Sequence, residues 1–152
     1  MKLILTDGTE LTPILVTGES QYVQGANRDT LTFVFGDVSM DEIDAAFTEA
    51  NCETIQLVTE QEVEVTNEDG TTETNTVENV DVHEGYVIRS NMKKYAEKVQ
   101  DETTNTAAVY ENRVTISMSQ RTYSETKMVE MQAQNDLLTE CILELSAEVY
   151  GE

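Results

Sequence analysis

Apolar and polar positions alternate with a period of two along most of this chain, and only two segments switch to a helical period. Leu31, Phe33 and Phe35 fall on one side of residues 30–35, with Thr32 opposite. Ala108, Tyr110, Val114, Ile116 and Met118 alternate with Glu111, Arg113, Thr115 and Ser117, the clearest strand pattern present. Residues 2–5 and 53–58 read as shorter strands. Asp7-Gly8 supplies a turn into a strand at 11–17, which Pro13 confines to an edge or a bulge because proline has no N–H to give a ladder. Residues 18–28, with two glycines and Asn27, read as a loop holding at most a short strand at Tyr22-Val23.

The first helical segment begins at a capping box, Ser39-Met40-Asp41-Glu42, in which the serine hydroxyl takes an amide three residues on and Glu42 reaches back. Ile43, Ala46, Phe47 and Ala50 follow at helical spacing, so 40–50 is expected to be a short amphipathic helix. A second box, Thr122-Tyr123-Ser124-Glu125, opens a run without Gly or Pro that lasts to Tyr150, with Gly151 as its stop. Within that run Met128, Met131, Asn135, Leu138, Ile142, Leu145 and Val149 step by three and four. These are the a and d positions of a coiled coil over about three heptads. Asn135 occupies an a position, where a buried amide sets register and partner number. Ile142 and Val149 at a, with Leu138 and Leu145 at d, lean towards a dimer while leaving a trimer open. The competing reading lays the helix on its own sheet, with Val129, Leu137 and Cys141 widening the apolar face. A 28-residue helix is about 42 Å long, more than a small sheet covers, and this favours the oligomer.

Between the helices lies an acidic stretch. Residues 60–84 hold nine Asp and Glu and no Lys or Arg. Val63 and Val65 alternate with glutamates before the turn residues Asn67-Glu68-Asp69-Gly70, so a solvated hairpin is expected, with 71–82 as its return arm. Residues 86–99 reverse the charge through Arg89, Lys93, Lys94 and Lys98, and are expected to pair with the 108–118 strand and to offset the acidic arm through cross-strand contacts. Together the elements predict an α+β fold: a β-rich head over 1–121 and a C-terminal oligomerising helix over 122–151. Its core is expected to contain Leu31, Phe33, Phe35, Ile43, Phe47, Ile55, Leu57, Val114, Ile116 and Met118. With 152 residues, 21 threonines and one proline, strands should dominate the head.

The formal charge of −21, from 30 acids against 9 Lys and Arg, argues against direct binding to nucleic acid or anionic membranes. No stretch of about 18 apolar residues is present, and Asp7 follows the apolar start too closely for a signal peptide. Cys52 and Cys141 read as small buried hydrophobes in a reducing compartment. With one histidine they make neither a zinc cage nor a disulfide framework. His83 beside Asp81 reads as a surface histidine among abundant acids. The 65–76 segment fails the calcium-loop pattern, with Val65 at its first position and Thr76 at its twelfth. No nucleophile elbow, phosphate loop or picked-out carboxylate pair points to catalysis, so no enzyme activity, cofactor or metal is expected.

The opening Met1-Lys2-Leu3-Ile4-Leu5-Thr6-Asp7-Gly8-Thr9-Glu10-Leu11, the Gly25-Ala26-Asn27-Arg28-Asp29-Thr30-Leu31-Thr32-Phe33 stretch followed by Ser39-Met40-Asp41-Glu42, and Thr-rich strands ending in a heptad helix together resemble small prophage-encoded proteins from the tail modules of phages that infect Gram-positive bacteria. The resemblance implies a structural or assembly component of a tail or baseplate. It would be made in the bacterial host cytoplasm and meet other tail proteins as a homo-oligomer. It carries over no catalytic residues. An alternative from the charge alone is an acidic DNA mimic that inhibits a nucleic-acid-binding enzyme.

Overall fold

A computed structural model describes residues 1–151. The chain forms two compact units, 1–120 and the segment from Arg121 onward. The fold is α+β. In the first unit eight strands make two four-stranded antiparallel sheets. β1 (Lys2–Ile4), β2 (Glu10–Leu11), β5 (Thr54–Thr66) and β6 (Thr72–Glu84) form the first, in the order β2-β1-β5-β6. β3 (Leu15–Val23), β4 (Ala26–Gly36), β7 (Ile88–Gln100) and β8 (Val109–Ser119) form the second, in the order β3-β4-β8-β7.

One core joins both sheets. Leu3 of β1 lies opposite Leu57 of β5. Leu31, Phe33 and Phe35 of β4 lie opposite Met118, Ile116 and Val114 of β8. All ten residues expected in the core are buried, joined by Leu3, Leu5, Cys52 and Val87. α1 (Met40–Ala46) adds Ile43, and the Phe47 ring after it packs 5.4 Å from Phe33 and 5.9 Å from Phe35, between ring centroids. The reverse face of the second sheet is joined by hydroxyls instead. Thr30 and Ser119 are side by side at 2.8 Å, as are Thr32 and Ser117, while Thr115 Oγ1 is buried without a partner among the described residues.

Several expectations are corrected. The strand expected at 11–17 is divided, because Pro13 sits between β2 and β3, where a proline nitrogen cannot continue the ladder. The loop expected at 18–28 is a hairpin: β3 pairs with β4 through nine residues, and Gln24 (φ 49°) and Gly25 (φ 80°) make the two-residue turn. Two consecutive positive φ values match the twist of the flanking strands. α1 stops at Ala46 rather than 50. The Asn51 side chain donates to the Ala46 carbonyl at 2.9 Å, and a 3-10 turn at Ala50–Cys52 takes over. The strand at 53–58 and the first arm of the acidic hairpin are one strand, β5. Finally, the basic strand does not offset the acidic arm: β6 pairs only with β5 and β7 only with β8, in separate sheets.

Candidate functional site: the terminal helix

Local chemistry sets both ends of α2 (Tyr123–Tyr150). Glu125 N–H donates to Thr122 Oγ1 at 3.3 Å, and Thr122 N–H donates to the Glu125 carboxylate at 2.8 Å, so the capping box is complete. At the other end Gly151 N–H donates to the Ala147 carbonyl at 2.8 Å. Gly151 has φ −84°, so it is not the left-handed glycine cap. It is needed for close approach, since a Cβ there would sit 2.2 Å from the Ala147 oxygen. Along the surface Lys127 pairs with Glu130 at 2.6 Å and Gln132 donates to Asp136 at 2.9 Å, contacts worth a few tenths of a kcal/mol each.

In the single chain no residue of this helix is buried. Met128, Met131, Leu138, Ile142, Leu145 and Val149 are each 60–71% exposed, and Asn135 is exposed among them. At 100° per residue the seven fall within about a third of the helix circumference, one continuous stripe. Asn135 spends its backbone carbonyl on Thr139 Oγ1 at 2.8 Å, and among the described residues its side-chain amide makes no hydrogen bond. In the same heptad register the flanking e positions are Gln132, Thr139 and Ser146, all uncharged, and the g positions are Lys127, Gln134, Cys141 and Glu148. Few charges therefore border the stripe, and Asn135 is its one polar member. Val129, Leu137, Leu143 and Tyr150 are exposed apolar residues off the stripe; Val129 and Leu137 belong to the wider face the sequence suggested, whereas Leu143 and Tyr150 do not. Cys141, expected to be buried, is exposed, while Cys52 is buried as expected.

The acidic hairpin is regular. Thirteen residue pairs run in register from Thr54↔Glu84 to Thr66↔Thr72. At its tip Asp69 accepts from the Thr71 amide at 2.9 Å and from the Thr71 hydroxyl at 2.6 Å, and these bonds hold its carboxyl below the ordinary carboxylate range. Glu60 and Glu78 face each other directly. In the other sheet Glu97 also faces Glu111, but Arg113 bridges both, at 2.9 and 2.7 Å. His83 lies opposite Ile55 and edge-on to the Tyr86 ring, and Asp81 opposite Leu57. Among the described residues no three His, Cys, Asp or Glu side chains converge as a metal-holding group, and no helix is long and apolar enough to cross a membrane. No protein-family model, curated protein or solved structure matches the chain.

Proposed function

We propose that this chain is a non-enzymatic structural or assembly protein of a phage particle, a tail or baseplate component that forms a dimer or trimer through α2. The observation that carries the reading is the stripe from Met128 to Val149, apolar except for Asn135 and solvent-exposed along its whole length in the single chain. At about 25 cal/mol per Å² of apolar surface removed from water, six such side chains supply enough driving force to associate two or three helices. The head keeps a separate core, so the helix is free to act as the assembly device while the sheets present surface to other tail proteins. On this reading the protein is made in the bacterial host cytoplasm and is incorporated into the virion or acts during its assembly. The test is deletion of the gene from the phage that encodes it, with electron microscopy of the particles. Defective or missing tails support the proposal, and wild-type infectious particles overturn it.

The second reading, an acidic mimic of DNA, draws on one observation. Glu60, Glu62 and Glu64 lie on one face of β5 at steps of about 7 Å, a regular row of negative charge. Salt-sensitive binding to a DNA-binding enzyme, with inhibition that a Glu60→Gln/Glu62→Gln/Glu64→Gln variant loses, would favour it.

A further inference from the structure

Among the described residues each sheet ends in a strand of thirteen residues with no strand paired on its outer side. β6 closes one edge of the first sheet and β7 one edge of the second. Such edges present a row of unpaired N–H and C=O groups, which proteins usually blunt with proline, bulges or charge. β6 has neither proline nor bulge, and its register with β5 is uninterrupted. β7 has irregularities near each end, between Arg89 and Asn91 and between Lys98 and Gln100, which leave a regular run from Asn91 to Lys98.

The two edges carry opposite charge. β6 holds Glu73, Glu78, Asp81 and Glu84 and no Lys or Arg, and none of the four is in an ion pair among the described residues. β7 holds Arg89, Lys93, Lys94 and Lys98 against Glu97. Arg89 is spent on Asp44, Lys98 on Asp101 and Glu97 on Arg113, whereas Lys93 and Lys94 make no ion pair among the described residues. Being adjacent on a strand, Lys93 and Lys94 point to opposite faces of the sheet. Glu78 and Asp81, three apart, do the same.

We propose that the free edge of β6 in one copy of this chain pairs with the free edge of β7 in a second copy, joining the first sheet of one to the second sheet of the other. Of the pairings between these two long edges, like charges disfavour β6 against β6 and β7 against β7, and charge complementarity favours β6 against β7. Within one chain that pairing is not made, although only Gly85, Tyr86 and Val87 separate the two strands. The interface is distinct from the α2 stripe and does not depend on it.

The test is a charge swap in the full-length protein, followed by sedimentation velocity at about 0.15 M salt, where the Debye length of about 8 Å screens the overall negative charge but not adjacent pairs. Lys93→Glu/Lys94→Glu and Glu78→Lys/Asp81→Lys should each lower the association constant by about tenfold or more, and an equimolar mixture of the two should recover the wild-type distribution. Circular dichroism checks that each remains folded, and the milder Lys93→Gln/Lys94→Gln variant should give an intermediate loss. Assembly that Leu138→Glu abolishes and the swaps leave untouched belongs to α2 alone and overturns the edge pairing. Assembly that survives Leu138→Glu but falls with the swaps supports the edge pairing and counts against the helix instead. A mixture that fails to recover what both variants lost also overturns it.

Discussion

The Arg89 guanidinium, carried on β7, donates to the Phe47 carbonyl at 2.9 Å, and so places a cation at the C-terminal end of α1. It also pairs with the Asp44 carboxylate and bonds the Asp44 carbonyl at 3.2 Å, so one side chain ties the short helix to the second sheet. α1 has no basic residue in its own last turn, and Arg89 supplies that charge from elsewhere in the chain. The side chain is 35% exposed, which weakens its charge–charge part but not its bonds to the backbone. Arg89→Met should therefore lower stability by about 1–2 kcal/mol in denaturant unfolding. A loss within experimental error would mean that the Phe33 and Phe35 contacts with Phe47 seat the helix unaided.

Thr115 faces the opposite side of the same sheet with a buried hydroxyl that has no hydrogen-bond partner among the described residues. Its neighbours along β8, Ser117 and Ser119, each share a hydroxyl bond with β4. Thr115 stands opposite Val34 there, which offers none. Thr115→Val keeps the branched shape and removes an unsatisfied polar group, so it should raise stability by about 1 kcal/mol. Ser117→Ala should act in the opposite direction, because it orphans the Thr32 hydroxyl. Paired melting curves for the two variants separate these effects.

Burial moves the Cys52 thiol from an ordinary 9.0 up to about 12. The neutral thiol is thereby favoured in the folded state. Its contribution to stability is fully present below pH 9, where the unfolded thiol is still protonated, and is lost as the pH rises towards 12. A Cys52→Ala variant should therefore lose stability less steeply with pH over that window than the wild type. In the native protein Cys141 should react with a thiol reagent at pH 8 while Cys52 reacts only on unfolding. Rapid modification of two thiols per native chain would contradict this.

The parts of this fold that the sequence made legible are those where burial alternates along the chain. Leu31, Phe33 and Phe35 against Val114, Ile116 and Met118 could be read directly, because a half-buried strand writes its inward face as every second residue. β3 left no such record, since beyond Val16 the residues on the same face, Gly18, Ser20 and Tyr22, make no apolar row and all three are exposed. The separation of β6 from β7 was not legible either. Charge sign says which strands attract, but pairing is settled by the core residues that each sheet must bury, and these are non-local. For the helix, its start at the Thr122 capping box and its stop at Gly151 follow from local spacing, whereas the exposure of Cys141, Leu137 and Leu143 does not.

The hairpin beyond residue 60 buries none of its residues, and Glu60 against Glu78 opposes its closure. Its register holds through backbone bonds and the Asp69–Thr71 contacts of the turn. Residues 67–75 should therefore show the fastest amide exchange of any internal segment, and their deletion with a two-residue turn in place should leave the head folded. Glu60→Lys should strengthen the arm by a few tenths of a kcal/mol, read as slower exchange at residues 60–64. Strong native protection at the tip would contradict the first expectation.

Asn135 is the single polar member of the α2 stripe. Among the described residues its side-chain amide has no partner, so in an assembly it either meets the same amide of another copy or is buried unsatisfied. A register that aligns the asparagines satisfies them, and a slipped register leaves each facing Met131 or Leu138 at a cost of about 1–3 kcal/mol per orphaned group. The residue therefore lowers the stability of the correct assembly slightly and that of wrong ones far more. Asn135→Leu should raise the melting temperature of the oligomer while broadening its mass distribution to include other partner numbers or orientations. Leu138→Glu, one turn away, should dissociate the helices outright and leave the head with wild-type strand content. Native mass spectrometry and thermal melts on the two variants test this together. A gain in stability without any broadening would show that the e and g positions, of which only Lys127 and Glu148 are charged, select the partners on their own. If Leu138→Glu leaves the oligomeric state unchanged, the stripe is not the contact and the heptad reading must be abandoned.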